Sequence, residues 1–333
     1  MNEPLVSLIV CCYNEEKYIE KCLISLLNQE NILGEFEILV IDGMSNDRTR
    51  SIVKNFLQLD SRIKMLDNPA KVKPPAVNLG FRASKGKYIA ICDAHTLYDK
   101  NYFSNSISII ESHPEAWCVG GPIISIGESN FGRANALAMS SPIGVGNAKH
   151  RFSEYEGYAE MACFPLFRRE VLDWVGYYDE FFDINHDDEY CFRLRKAGGK
   201  VFLSPIAKSY YYVRNSIKGL FRQYFSYGYW QIAFLKKHKI PISIRQLIPF
   251  LFFSVIIILL FISIILKKFW LGLLLPLVYV SILVLSSIPI LFKKEIRVAI
   301  NFPIAVFILH FSYALGFFFG LFRFSVNDFK RNE

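Results

Sequence analysis

The chain has no Cys-x-x-C pair, although seven cysteines are spread along it: Cys11, Cys12, Cys22, Cys92, Cys118, Cys163 and Cys191. Their odd number and their places inside apolar runs exclude a disulfide frame or a zinc site and predict reduced core thiols. No G-x-x-x-x-G-K-[ST] loop occurs, no G-x-G-x-x-G follows a strand, and no Ser-His-Asp or Cys-His spacing marks a nucleophile. The opening residues 1–10 carry no basic segment ahead of an apolar one and run straight into a strand. No secretory leader is therefore expected, and the first 240 residues are expected to stay in the cytoplasm. Internal repeats and low-complexity tracts are missing from this part as well.

Charge is missing from long stretches near the C-terminus. Residues 247–266 and 270–292 contain none, and residues 298–322 have Asn301 and His310 as their notable polar interruptions. About 20 apolar residues at a helical rise of about 1.5 Å cover the roughly 30 Å of a bilayer core. Three such runs separated by short basic hinges predict membrane helices rather than buried core helices. The net charge of +8 is concentrated, with the segment 218–246 dense in Lys and Arg among aromatics just before the first run. Such a segment reads as an interfacial helix on the cytoplasmic side rather than a nucleic-acid patch. Three spans would put the C-terminus outside, whereas the basic tail suits two spans plus a re-entrant or interfacial segment. The expected division is a cytoplasmic domain over 1–215, an amphipathic segment over 216–246, two to three membrane helices within 247–322, and a tail over 323–333.

What is present in the first part is an alternation of periods. Apolar runs of strand length (residues 5–10, 36–42, 63–68 and 87–95) alternate with helical spacing over residues 14–29, 45–58 and 74–84, with Ser45 or Asn46 as N-cap of the second helix. This cadence predicts an α/β fold, a mostly parallel Rossmann-like sheet with helices on both faces. Its ligands belong at the carboxyl ends of the strands. Those ends carry Tyr13-Asn14-Glu15, Asp42-Gly43 and Asp93-Ala94-His95. After Gly120 the pattern turns irregular and predicts a loop with one short helix, then a short strand, a helix over 168–175, and an acidic loop leading into a further helix.

The chemistry available is that of carboxylates. Asp93 with His95 offers hard oxygen and imidazole nitrogen, a pair suited to Mg²⁺ or Mn²⁺ bridging phosphate oxygens. Asp42 could hydrogen-bond a base or ribose. Residues 185–190, Asn-His-Asp-Asp-Glu-Tyr, bring three carboxylates together, and one of them could take a proton from an attacking hydroxyl. Each has a plainer reading: a turn or cap for Asp42, a lone D-x-H for Asp93 and His95, an acidic first helical turn for Asp187 to Glu189.

In order along the chain, "VSLIVCCYNEEKYIEKCLISLLNQ", "EILVIDGMSNDRTRSIV" and "NPAKVKPPAVNLGFRASKGKYIAICDAHT" resemble the opening segments of family 2 glycosyltransferases with the GT-A fold. "NHDDEYCFRLRKAGGKVFLSP" and "RQYFSYGYWQ" resemble the succinoglycan glucosyltransferase branch of exopolysaccharide synthesis. The resemblance implies an inverting enzyme using a nucleotide-diphospho-sugar, UDP-glucose-like, and a divalent metal. It implies nucleotide contacts from Cys12, Tyr13, Asn14, Asp42, Asn78 and Asp93, metal contacts from Asp93 and His95, and Asp187 as general base. It places His186, Asp188, Arg222, Gln223 and Trp230 on the acceptor and diphosphate side. The implied acceptor is polyprenyl-diphosphate-linked or otherwise membrane-bound, with the lipid bilayer and other polysaccharide-assembly proteins as partners. Gly43 stands where the family has a second aspartate, and His186 where it has a glutamate, with Asp188 or Glu189 as substitutes. The tryptophan element is incomplete, which favours transfer of one sugar over polymerisation. The alternative is a non-catalytic nucleotide-sugar-binding subunit of a synthase complex; a transporter is disfavoured because the apolar runs lack ionisable pairs.

Overall fold

The computed structural model describes residues 3–241, 243–325 and 328, so most of the tail lies outside the described residues. The strands are β1 (Val6–Cys12), β2 (Phe36–Asp42), β3 (Ile63–Asp67), β4 (Tyr88–Asp93), β5 (Thr96–Tyr98), β6 (Ala116–Gly120), β7 (Ile123–Ile126), β8 (Gly157–Ala159), β9 (Leu166–Arg168), β10 (Lys200–Leu203) and β11 (Ser209–Tyr212). Eight of them form one sheet in the order β3-β2-β1-β4-β9-β6-β10-β8. β1 pairs in parallel with β2 and β4, and β2 with β3, as the βαβ cadence requires. β9 runs antiparallel to both β4 and β6, and β8 antiparallel to β10, so the sheet is mixed beyond β4.

Local chemistry sets the boundaries. β2 is buried along its whole length, which fits a central strand covered on both faces. The first helix begins at Ile19 rather than near Asn14, because Asn14 is left-handed (φ 55°) and the chain turns before the helix starts. Pro74 and Pro75 sit in the first turn of helix Lys73–Ala83, where a missing N–H costs nothing. The next helix starts at Thr49, not at a cap from Ser45 or Asn46. Ser45 Oγ is occupied by the Asn14 N–H at 2.9 Å, and Asp47 Oδ1 accepts from the Thr49 N–H at 2.9 Å. The expected helix over 168–175 is shortened to Val171–Trp174, since Leu166–Arg168 is drawn into the sheet between β4 and β6. The expected loop after Gly120 holds β7, the helix Asn130–Met139 and a short helix Pro142–Val145. All seven cysteines are free, five of them buried.

The chain divides into two compact units, one of residues 1–124 with 149–211 and one of residues 125–148 with 212–333. The first holds the large sheet. The core between that sheet and its helices joins Ile9, Leu39, Ile41, Val77, Phe81, Ile91, Tyr178 and Tyr190. Gly80 is fixed by this packing, because a Cβ there would stand 2.4 Å from Ile9. The second unit is built from helices. Helix Ile217–His238 packs along helix Ile296–Arg323 through glycines, with Gly228 against the backbone of Tyr313 and Gly316 against that of Phe225. Three helical segments, Ile244–Ile265, Phe269–Phe292 and Ile296–Arg323, are long and apolar enough to cross a membrane.

Candidate functional site

Register alone lines up the carboxylates of the first unit. Cys12 lies beside Asp42 across β1 and β2, Asp42 beside Asp67 across β2 and β3, and Cys11 beside Asp93 across β1 and β4. Asp67, Asp42 and Asp93 therefore form a row at the carboxyl ends of parallel strands, where α/β sheets take their ligands. Two cations that the sequence reading assigned no role reach into this row. Arg50, from helix Thr49–Leu59, donates to Asp42 Oδ2 at 2.5 Å and to Asp67 Oδ1 at 2.8 Å. Lys73, the first residue of helix Lys73–Ala83, pairs with Asp93 Oδ1. Arg50 comes from the helix after β2 and Lys73 from the helix before β4, so each cation reaches its carboxylate only through the fold.

Asp42 is fully buried and also accepts the Ser45 N–H at 3.0 Å. The Cys12 thiol points at its other oxygen at 3.7 Å. Burial pushes the Cys12 thiol up, with Asp42 adding to it, and burial pushes Cys11 up to about 12 against the pull of Lys73. Both thiols stay protonated at neutral pH, so neither serves as nucleophile or metal thiolate. Around them the loop of Asn14 to Glu16 is laced to the loop before Thr49. Asn14 Oδ1 accepts the Asn46 N–H at 2.9 Å, and the Glu15 N–H donates to Thr49 Oγ1 at 2.8 Å. Tyr13 and Met44 are left with open faces beside Asp42. Gly43 suits the close approach, since a Cβ there would stand 3.1 Å from the Tyr13 Cβ.

Asp93 feels opposing influences. Burial works to raise its pKa, but Lys73 above all, then His95 and His186, hold it below the ordinary carboxylate value. Lys73 is shifted the opposite way, upward, because burial, which would lower it, is outweighed by the pull of Asp93, Cys11 and Asp187. His95 is fixed by Glu15, whose Oε1 lies 2.9 Å from Nδ1, and its ring packs against Tyr211 at 5.2 Å. A carboxylate behind Nδ1 directs the lone pair to Nε2, the arrangement of metal-binding histidines. Among the described residues no three His, Cys, Asp or Glu side chains form a metal cage. One carboxylate and one imidazole fit a hard cation that takes its remaining ligands from phosphate oxygens and water.

Asp187 stands in the first turn of helix His186–Lys196, after the left-handed Asn185 (φ 62°). Its Oδ1 accepts the Asp188 N–H at 3.0 Å. It acts electrostatically on both Lys73 and His186, as Asp93 does, so Asp93, Lys73, His186 and Asp187 belong to one electrostatic cluster. Burial lowers the His186 pKa more than Asp187 raises it, which keeps the imidazole neutral at pH 7. Glu189 does not stand in for the acidic neighbour of Asp187. It is fully buried and bidentate with Arg193 at 2.9 and 3.0 Å. Asn78 is buried too, its amide spent on Tyr178 and on Glu180 Oε1 at 2.8 Å, where it ties two segments of the site wall together. Arg222, Gln223 and Trp230 lie on helix Ile217–His238 of the second unit. Arg222 is exposed, Gln223 donates to the Tyr227 hydroxyl at 3.0 Å, and Trp230 packs on Tyr229 and Phe324.

A family described as glycosyl transferase family 2 matches residues 7–176. The chain is 31% identical over 249 residues to the succinoglycan biosynthesis protein ExoA of Rhizobium meliloti, covering 73% of each chain. It is 29% identical over 329 residues to a dolichyl N-acetyl-alpha-D-glucosaminyl phosphate 3-beta-D-2,3-diacetamido-2,3-dideoxy-beta-D-glucuronosyltransferase of Methanococcus voltae, covering 96% of this chain and 97% of that one. Among solved structures, the mannosyltransferase PcManGT from Pyrobaculum calidifontis, in complex with GDP-Man and Mn²⁺, superposes with a TM-score of 0.62 over 98% of this chain and 89% of that one. At 16% identity this shows a shared fold.

Proposed function

Because the chain belongs to glycosyl transferase family 2, a glycosyltransferase with a GT-A-type sheet, we propose that it moves a hexose, with inversion, from a UDP-sugar to a lipid-linked acceptor in extracellular polysaccharide assembly. The observation that carries this reading is the row of Asp42 and Asp93 at the sheet's carboxyl edge, with Lys73 paired to Asp93 and His95 held by Glu15 beside it.

Inversion needs a single displacement at the anomeric carbon, with the acceptor hydroxyl attacking opposite the departing diphosphate. Asp187, partly exposed in a helical first turn beside a neutral His186, is the general base that takes the hydroxyl proton. Tyr13 and Asp42 flank the nucleoside, and Lys73 is the cation that the chain itself directs at diphosphate charge. Asp93 and the Nε2 of His95 would hold Mg²⁺ or Mn²⁺, which supplies charge neutralisation on the diphosphate when bound. The apolar helices and the aromatic helix Ile217–His238 support a membrane-anchored enzyme with this site facing the cytoplasm.

The test is a donor screen with full-length protein in detergent and Mn²⁺. Nucleotide release is followed against lipid extracts of the host membrane, with the anomeric configuration of the product read by NMR. Turnover of a UDP-hexose giving product of the opposite configuration is expected. A retained configuration, or tight UDP binding without turnover on any acceptor, would contradict the reading.

A further inference from the structure

Helix Ile296–Arg323 is held at both ends by segments that precede the first long apolar helix, and this fixes how it meets the membrane. At its start Glu295 pairs with Arg133 at 2.5 Å. Near its middle His310 Nε2 lies 3.2 Å from the Gly144 carbonyl. At its end Lys236 Nζ donates to the carbonyls of Leu321, at 3.1 Å, and Phe324, and the Phe324 ring packs on Tyr229 and Trp230 at 5.0 and 5.3 Å. Residues 125–148 and 212–241 come before any helix able to cross, so Arg133, Gly144 and Lys236 all lie on the side from which the chain enters the bilayer.

A crossing helix of this length, about 42 Å, would set its two ends on opposite faces of the roughly 30 Å hydrocarbon layer. Lys236 would then need to be carried across by its own helix. Four successive crossings alternate in direction, which would make helix Ile217–His238 antiparallel to helix Ile296–Arg323. The two are parallel: the Phe225 carbonyl meets Gly316, and the Tyr229 carbonyl, four residues later, meets Gly320. Lys218 and Arg222 at one end of that helix and Lys236 and Lys237 at the other add a further cost to any crossing.

The rest of the second unit agrees. Fifty-six per cent of the apolar window of helix Ile296–Arg323 is buried, against 6% for the helical segment Ile244–Ile265. The described aromatic contacts of the hairpin Ile248–Ile265/Phe269–Leu285 with this helix come from the half near the hairpin's open end, with Phe250 on Phe317 at 4.6 Å and Phe253 on Phe311 at 5.5 Å. The face left exposed is an apolar stripe of Ile300, Ile304, Phe307, Phe311, Phe318 and Phe322 at helical spacing.

We infer that helix Ile296–Arg323 lies in the plane of the membrane surface with both ends on the entry side, its apolar stripe in the headgroup–acyl boundary, while the hairpin alone enters the bilayer. Its occupant is the lipid surface itself, met as an interfacial helix meets it. The test uses the full-length chain with one epitope ahead of Met1 and another after Glu333, in sealed membrane vesicles of each orientation. A separate Lys293→Cys variant is labelled with an impermeant maleimide and compared with the unsubstituted chain. All three positions are expected to be reached from the same side. The two epitopes on opposite sides would mean an odd number of crossings and overturn the inference. Position 293 on the side opposite the epitopes would mean that helix Ile296–Arg323 crosses, which overturns it equally.

Discussion

Lys73 is the residue on which the resting state of the site turns. It pairs with Asp93, the carboxylate assigned to the metal, so cation and lysine compete for one oxygen. Replacing Lys73 by Met leaves Asp93 without its counter-charge and is expected to cost about 1–3 kcal/mol of stability in the absence of metal. The same variant is expected to bind Mn²⁺ more tightly than wild type when no donor is present, because the competitor is gone. Paramagnetic titration and thermal unfolding of the solubilised protein measure both. His186 carries a separate pH dependence. Its folded pKa lies below the ordinary value of 6.5, so as the pH falls through that window the unfolded chain takes up a proton that the native chain does not. Stability is therefore full above about pH 7 and falls below it, by at most about 1.4 kcal/mol per pH unit from this one group. In His186→Asn that contribution to the slope between pH 7 and 5 is expected to vanish in unfolding curves. The aspartates themselves were legible in the sequence, since each ends an apolar run. Their partners were not: Arg50 lies eight residues from Asp42 and Lys73 twenty from Asp93, and only the fold brings them together.

At the scale of elements, periodicity located β1 to β4 and their helices, because continuous apolar runs and spacing by three and four are direct images of burial. It misplaced the start of the helix after β9, because Arg168 is drawn into that three-residue strand by partners on both sides, and it misplaced the N-cap of helix Thr49–Leu59, where Ser45 was claimed by Asn14. It also could not show that helix Ile217–His238 packs on helix Ile296–Arg323, since Gly228, Gly316 and Gly320 are meaningful only as a matched set. A Cβ at Gly316 would stand 2.0 Å from the Phe225 carbonyl oxygen. Gly316→Val must push the two helices apart and is expected to destabilise the protein by about 1–3 kcal/mol. An exposed-face change such as Phe322→Leu is expected to leave the unfolding temperature nearly unchanged in the same detergent assay.

The whole molecule combines a sheet that lines up carboxylates with a helical unit suited to a membrane surface. The sheet's carboxyl edge supplies the acids, and the helices Thr49–Leu59 and Lys73–Ala83 supply the cations paired with them. The apolar helices suit an acceptor that lies in lipid. In the proposed mechanism Asp187 is the general base, so the most direct measurement compares wild type with Asp187→Asn. Nucleotide release and sugar transfer are followed in the full-length protein, and UDP binding is measured in parallel. Binding is expected to be retained while transfer falls by about 10²–10⁴-fold, the range of a lost general base. Transfer at the wild-type rate in Asp187→Asn would contradict the assignment of the base and the mechanism built on it.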